Sequence, residues 1–228
     1  MARYPQPPGQ KGSLRWIQEY VNDSPEILDR AIAEASGGKI RTPIQWRSPR
    51  RDDEYAEYRD QAFVDVLDIG LPVRPLVDFW PRGGPQWDAL GVSASGQPIL
   101  VEAKANIPEV SSPASGAKGE SRDRIVAALA ETAGFLGVDS TYDWTGTFYQ
   151  YTNRLAHLYL LAEVNRLDAW LVFVYFVGDA SVSGPETEEE WRAALQVLHE
   201  ALGLPMSHRM GARVVDVFVD VRAGAKPG

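Results

Sequence analysis

Three charged side chains near the middle of the chain have the types and spacing of a hydrolytic site. Asp88 opens one apolar stretch, and Glu102 and Lys104 close the next. Side chains alternate faces along a strand, so Glu102 and Lys104 share a face. If the two stretches form a hairpin with its turn centred on Ser95, Asp88 lies opposite Glu102, with Cβ atoms roughly 5 Å apart. The spacing therefore predicts two carboxylates and one lysine together at the end of a hairpin.

Such a cluster is suited to phosphodiester hydrolysis. Two carboxylates at this distance repel each other, which raises one pKa unless a cation lies between them. Mg²⁺ or Mn²⁺ would remove the repulsion, and Mg²⁺ commonly uses one or two carboxylates together with water and phosphate oxygens. Lys104 can hold a water molecule or a developing negative charge. The alternative interpretation is ordinary cross-strand ion pairing on a solvated sheet face.

The pattern of Asp88 followed by Glu102-Ala103-Lys104 resembles the motif of the PD-(D/E)xK nuclease superfamily. That motif has an aspartate on one hairpin strand and E-x-K on the next; Trp87 here takes the place of its proline. The resemblance implies a restriction-endonuclease-like αβββαβ core and a divalent-metal-dependent nuclease with DNA as the expected substrate. It implies Asp88, Glu102 and the carbonyl of Ala103 as metal ligands, and Lys104 as the residue that positions the attacking water.

A further acid is predicted from the helix expected over residues 52–67. In the superfamily that the hairpin resembles, the helix before the hairpin often contributes another acid to the metal site. Glu57 lies in the middle of this segment and is the candidate additional metal ligand. The alternative is that Glu57 is a solvated acid on an amphipathic helix.

A polar stripe interrupts the apolar helix predicted over residues 149–165. Gln150 and Arg154 are the candidate substrate-binding residues of this stripe, and Asn153 and His157 belong to it as well. The stripe partly matches the Q-x-x-x-Y of the RecB-like branch of the superfamily, with Arg154 in place of tyrosine. An arginine fork suits phosphate oxygens. The stripe could equally face water, and His157 is expected to be structural.

The segment 106–122 is rich in Pro, Ser, Gly and Ala and has the composition of a loop. It follows the E-x-K strand directly, and loops at the mouth of a site often close on substrate. Lys118 and Arg122 make its end the most basic patch of the chain and are therefore further candidates for substrate binding. An ordinary surface loop is the alternative.

Composition limits the class of protein. The 228 residues carry a net charge of −8, which counts against a large nonspecific nucleic-acid surface but not against a small local basic patch. The chain contains no cysteine, so disulfides and thiolate metal sites are excluded, which suits a cytoplasmic protein. No stretch has the pattern of a signal peptide, and no apolar stretch is long enough to span a bilayer, so no membrane partner is expected. A homo-oligomer is compatible with the sequence.

The order of elements predicts an α/β fold with a mixed central β-sheet, flanking helices and an N-terminal helical extension. The expected domains are a disordered arm (1–12), a helical accessory segment (13–48), a nuclease-like core (49–222) and a tail (223–228). Helices are expected at 13–22, 24–35, 52–67, 124–136, 149–165 and 187–202, and strands at 40–46, 73–80, 87–92, 99–105, 167–178 and 213–222. The alternatives to a nuclease are a catalytically silent nuclease-like binding or scaffold module, and a site for a small phosphorylated ligand.

Overall fold

The computed structural model describes residues 2–205 and 207–223. Helices and strands follow one another in the order β1 (Arg3–Tyr4), α1 (Gly12–Asp23), α2 (Pro25–Ala35), β2 (Gln45–Ser48), β3 (Glu57–Tyr58), α3 (Gln61–Val66), α4 (Leu76–Phe79), β4 (Ala89–Val92), β5 (Pro98–Lys104), α5 (Gly119–Leu136), α6 (Tyr149–Tyr159), β6 (Trp170–Val177), α7 (Glu188–Ala201) and β7 (Val214–Asp220). A π-helical turn, Leu160–Val164, continues α6. Within the two described ranges, no helix has both the length and the apolarity needed to cross a membrane.

Five strands form one mixed sheet in the order β2-β4-β5-β6-β7. The β2–β4 and β4–β5 pairs are antiparallel, whereas β5–β6 and β6–β7 are parallel. β1 and β3 form a separate antiparallel pair. The predicted class, a mixed sheet flanked by helices, is therefore confirmed. The last strand lies at an edge of the sheet as expected, and so does β2, although β2 begins later in the chain than predicted.

Helices cover both faces of the sheet because side chains of alternating strand residues are apolar on each face. One core contains side chains of α1, α2 and the sheet, among them Ile17, Leu28, Ile32, Val101, Val172 and Val217. The other contains side chains of α5, α6, α7 and the opposite sheet face, among them Leu129, Leu155, Leu195, Leu100, Leu171 and Phe173. Glu102 follows Leu100 by two residues and therefore faces the second core, beneath α6.

The β4–β5 hairpin has the predicted register. Leu90 pairs with Leu100 and Ala89 with Val101, which is the pairing obtained when the turn is centred on Ser95. At the open end of the hairpin, Ala89 is the last residue of β4 that pairs with β5. Asp88 precedes Ala89 in the chain, so it lies just outside the ladder, next to the part of β5 that extends further. The predicted adjacency of Asp88 and the E-x-K segment follows directly from this register.

The helix predicted over residues 52–67 is wrong. Glu54, Tyr55 and Asp60 have left-handed backbones, with φ of 54°, 50° and 51°, which interrupt any helix. Between them β3 pairs with β1. Only the six residues of α3 are α-helical, and a 3₁₀ turn, Arg51–Asp53, ends just before Glu54. The periodic apolar pattern was thus overridden by a strand pairing with a distant segment.

The strand predicted over residues 73–80 is also wrong. Pro72 and Pro75 lack the N–H that a strand needs for its ladder, and Pro75 instead precedes the short helix α4. Phe79 and Trp80 are buried against the α6 side of the molecule, which accounts for the apolar character of the segment.

The first residues do not form the expected disordered arm. Arg3 and Tyr4 pair with Tyr58 and Glu57, and the Gly9 N–H donates to Gln18 Oε1 at 2.8 Å. The segment expected to be accessory, 13–48, supplies α1 and α2, which cover one sheet face, and the edge strand β2. Met1 and, apart from Ala223, the predicted tail lie outside the described residues.

The hairpin should depend on the close packing of β2 against Gly91. A Cβ at position 91 would lie 2.7 Å from Ile44 Cγ2 and 3.2 Å from Trp46 Cε3. We expect Gly91→Ala to lower the free energy of unfolding by about 1–3 kcal/mol because these side chains must shift. Urea unfolding measures the effect. Gly134→Ala is the control, because its Cβ meets nothing within 4 Å in the exposed part of α5. It should raise stability by about 0.5–1 kcal/mol, and equal behaviour of the two variants would contradict the interpretation.

Candidate functional site

The open end of the hairpin places Asp88 beside the backbone of Ala103. The Ala103 N–H donates to Asp88 Oδ2 at 2.7 Å. Because the N–H and C=O of a strand residue lie on the same edge, the Ala103 carbonyl also points to the Asp88 side. Asp88 is partly exposed and lines a cavity of about 550 Å³. Asp88 therefore lines the cavity, and the Ala103 carbonyl lies on the Asp88 side of the strand without lining it.

Glu102 is buried and carries a cation on each of its two oxygens. Lys104 Nζ donates to Oε1 at 2.5 Å, and Arg154 Nε donates to Oε2 at 2.7 Å. Lys104 Nζ also donates to Gln150 Oε1 at 2.7 Å. The predicted polar stripe of α6 thus faces the sheet rather than water, and it joins the E-x-K strand to this helix.

Glu57 lies in the same cavity, although not on a helix. It belongs to β3 and is buried. Its Oε2 accepts hydrogen bonds from Gln86 Nε2 at 2.5 Å and from Gln6 Nε2 at 3.2 Å. Glu57 therefore lines the same cavity as Asp88, but from a strand rather than from the predicted helix. The N-terminal segment, through Gln6, takes part in holding that carboxylate.

Two loops form the walls of the cavity. Residues 83–86 lie on one side and residues 111–114 on the other. Asp60 fixes the first loop: its carboxylate accepts the N–H groups of Gly83 and Gly84 at 2.8–3.2 Å. Asp60 itself has φ 51° and ψ −145°, a backbone region that costs a non-glycine residue energy and persists only where its surroundings enforce it.

The second loop is tied to the start of α6. The Ser112 N–H donates to the Thr147 carbonyl at 2.7 Å, and the Ser112 hydroxyl accepts the N–H of Gln150 at 2.9 Å. This hydroxyl satisfies one of the N–H groups that a helix leaves without an intrahelical partner at its first turn. The loop predicted over residues 106–122 ends earlier than expected, at Lys118, because α5 begins at Gly119.

The three carboxylates have different electrostatic environments. Burial, with added repulsion from Glu102, raises the pKa of Glu57 to about 7. Burial first, and repulsion from Glu102 second, raise the pKa of Asp88 well above its usual value. Burial also opposes ionisation of Glu102, but Arg154 and then Lys104 outweigh it and lower the pKa of Glu102. The two cations thus stabilise the ionised form of Glu102, whereas the pKa values of Asp88 and Glu57 stay raised.

Several predicted site residues lie elsewhere or have other roles. Lys118 and Arg122 are exposed and do not line the cavity, and Arg122 lines a separate one. His157 is buried against Trp80 and Trp87, and burial lowers its pKa to about 3, which fits the structural role expected of it. Among the described residues, no group of three or more His, Cys, Asp or Glu side chains is arranged to hold a metal ion.

Gln86, Asp60 and Gln6 are site residues that the sequence interpretation missed. Strand alternation could have found Gln86, since it precedes Asp88 by two residues and so points to the same side. No local pattern indicates Asp60 as the anchor of the glycine loop. Gln6 was hidden by the proline-rich composition around it, which is typical of disorder.

The raised pKa of Glu57 predicts a pH-dependent stability. Between about pH 4.5 and about pH 7 the folded state binds more protons at Glu57 than the unfolded state does, so the free energy of unfolding falls as the pH rises. We expect Glu57 to contribute on the order of 3 kcal/mol to this fall, so the fall should be smaller by about that amount in Glu57→Gln. Urea unfolding with EDTA across this range measures it. If the free energy of unfolding depended on pH in the same way in the wild type and in the variant, the pKa of Glu57 would not be raised in the folded protein.

Comparison with known proteins supplies no relative from which a role could be transferred. No family model matches the chain, no curated protein matches its sequence, and no solved structure matches it. The interpretation of the site therefore depends on its own geometry: Asp88 and Glu102 adjacent at the hairpin end, with Lys104, Glu57 and Arg154 around them.

Proposed function

We propose that this protein is a divalent-metal-dependent nuclease that hydrolyses phosphodiester bonds, with DNA as its substrate. The observation that carries the proposal is the hairpin register, which brings Asp88 next to Glu102-Ala103-Lys104 at the edge of an open cavity. The order of the central elements, an antiparallel hairpin followed by helices and a parallel strand, is compatible with the restriction-endonuclease-like core that the sequence motif implies.

The donor set fits Mg²⁺ or Mn²⁺. The Ala103 N–H occupies Asp88 Oδ2, which leaves Oδ1 and the Ala103 carbonyl for a cation. Glu57 faces the same cavity, and Glu102 lies behind Arg154. Hard oxygen ligands are those that Mg²⁺ prefers, and water and phosphate oxygens ordinarily complete its coordination. Burial, and then repulsion from Glu102, raises the pKa values of Asp88 and Glu57, and a bound cation would favour the ionised forms of both carboxyl groups.

Each protein group has a definite task in the proposed reaction. A bound divalent cation supplies Lewis-acid stabilisation of the charge on the phosphate and a more acidic water. An ammonium group has three N–H donors, and Lys104 uses two of them on Glu102 and Gln150. The third donor can hold a water molecule in the small cavity that Lys104 lines together with Glu102 and Gln150. Gln150 thereby orients Lys104, and Gln86 orients Glu57.

Cleavage should depend on Asp88 and Lys104. We expect Asp88→Ala and Lys104→Ala each to lower the rate of DNA cleavage about a thousandfold or more, equivalent to about 4 kcal/mol of transition-state stabilisation. The assay uses linear, circular and single-stranded DNA with Mg²⁺, Mn²⁺ or EDTA. Asp65→Ala and Lys39→Ala, which alter exposed residues, are matched controls that should retain activity. Activity that survives both site variants would come from a contaminant, and a wild type inactive on every substrate would count against the proposal.

A second candidate function is a catalytically silent nuclease-like binding module. It is favoured by the pairing of Glu102 with Lys104 and Arg154, which already satisfies both oxygens of that carboxylate. It is favoured also by the net charge of −8, which opposes a broad nucleic-acid surface.

Calorimetric titration with Mn²⁺ discriminates between the two candidates. For the nuclease we expect saturable binding that Asp88→Asn abolishes, because this substitution removes the charge of the exposed ligand. Asp65→Asn should bind as the wild type does. No binding heat in the wild type or in any variant would favour the silent module.

A further inference from the structure

Arg154 lies between Glu102 and the cavity that contains Asp88. The Arg154 side chain lines that cavity, whereas Glu102 does not. Glu102 instead lines a small neighbouring cavity together with Lys104 and Gln150. For Glu102 to reach a cation bound beside Asp88, the guanidinium group must move.

The arginine also occupies the carboxylate oxygen that a cation would need. Arg154 Nε at 2.7 Å and Nη2 at 2.5 Å both approach Glu102 Oε2. A cation that approached Oε2 would therefore have to displace the Nε hydrogen bond and the nearby Nη2 group. Only 3% of the Arg154 side chain and 2% of that of Glu102 are exposed, so water does not substitute for either partner.

The other contacts of Arg154 are neutral. Nη1 donates to Asn153 Oδ1 at 2.8 Å, Nη2 donates to the Gln86 carbonyl at 2.7 Å, and the guanidinium lies 4.9 Å from the centre of the Trp87 ring. These groups hold the guanidinium at the cavity wall without neutralising it. If a cation replaced it on Glu102, the arginine fork would need another anion, and phosphate oxygens match its geometry.

We propose that Arg154 is an exchangeable counterion: it neutralises Glu102 in the metal-free protein and pairs with a substrate phosphate once a divalent cation takes over Glu102. This inference rests on the proposed nuclease function, because it requires a cation at Asp88 and Glu102. It predicts that the arginine opposes metal binding and favours substrate binding. An arginine with a purely structural role would support both metal binding and substrate binding, or would support neither.

The test is a pair of affinities measured on Arg154→Gln. Calorimetry should show Mg²⁺ bound about tenfold or more tightly than by the wild type, since the variant lacks a unit positive charge that repels the cation through an effective dielectric constant of about 20. Anisotropy of a fluorescein-labelled single strand in saturating Ca²⁺ should show binding weakened about tenfold. Arg154→Lys keeps the charge without the fork, so it should restore the metal affinity but not the strand affinity. Arg192→Gln, an exposed charge change on α7, is the control and should alter neither.

Opposite changes in the two affinities support the proposal, whereas parallel changes or no change overturn it. If neither the wild type nor Arg154→Gln binds Mg²⁺, the nuclease function itself fails along with the inference. If the wild type binds Mg²⁺ but the two affinities of Arg154→Gln change in parallel or not at all, only the inference about Arg154 fails.

Because removal of Arg154 leaves buried Glu102 with only one of its two cationic partners, the variant is expected to lose stability, and a second measurement uses the wild type. The Nε–Hε signal of Arg154 in a ¹H–¹⁵N spectrum is identified by its loss in Arg154→Lys. It should shift on addition of Mg²⁺ and stay in place in Asp88→Asn. Amide shifts that report Mg²⁺ binding while the Nε–Hε signal stays fixed would contradict the exchange.

Discussion

The buried charge of Glu102 determines how β5 and α6 meet. An ionised carboxylate on an apolar sheet face costs several kcal/mol unless cations and hydrogen bonds compensate it. Lys104, two residues along the same strand face, supplies one cation, and Arg154 from α6 supplies the other. The helix must therefore present its polar stripe to the sheet, although its other faces are apolar. Through Gln86 and Gln150, the same cluster also orders the residues around Glu57 and Lys104.

Stability alone does not call for this arrangement. Buried ion pairs contribute little net stability compared with apolar side chains of similar volume, because desolvation offsets most of the attraction. The sheet face around Glu102 is already apolar, with Leu100 and Phe173 close to it. An aliphatic pair at positions 102 and 154 would fill that space at lower cost. The charged cluster lies beside an open cavity that Asp88, Glu57 and Arg154 line, and the proposed function assigns it a role in binding there.

Local sequence patterns predicted the β4–β5 hairpin and the polar stripe of α6. Elsewhere the prediction was wrong, because the structure depends on contacts with distant segments of the chain. The β4–β5 register followed from turn composition and strand alternation, both contained within about twenty residues. The polar stripe on α6 followed from helical spacing. Residues 52–67 also have helical spacing, yet the chain from Arg3 supplies a strand partner that no local pattern reveals. The apolar stretch at 73–80 shows the same limit, since burial of Phe79 and Trp80 does not distinguish a short helix after Pro75 from a strand.

Glu57 shows that the location of a residue beside the site and its secondary structure can be predicted independently. It was selected because an acid before the hairpin suited a metal site, and it does face the cavity, but β3 rather than a helix carries it there. The pairing of β3 with β1 fixes that position, and Gln6, just beyond β1, donates to the carboxylate. The N-terminal segment thus supports the candidate site as well as the fold. A carboxylate whose pKa burial raises to about 7 requires such a rigid setting, because a mobile side chain would turn toward water and recover its ordinary pKa.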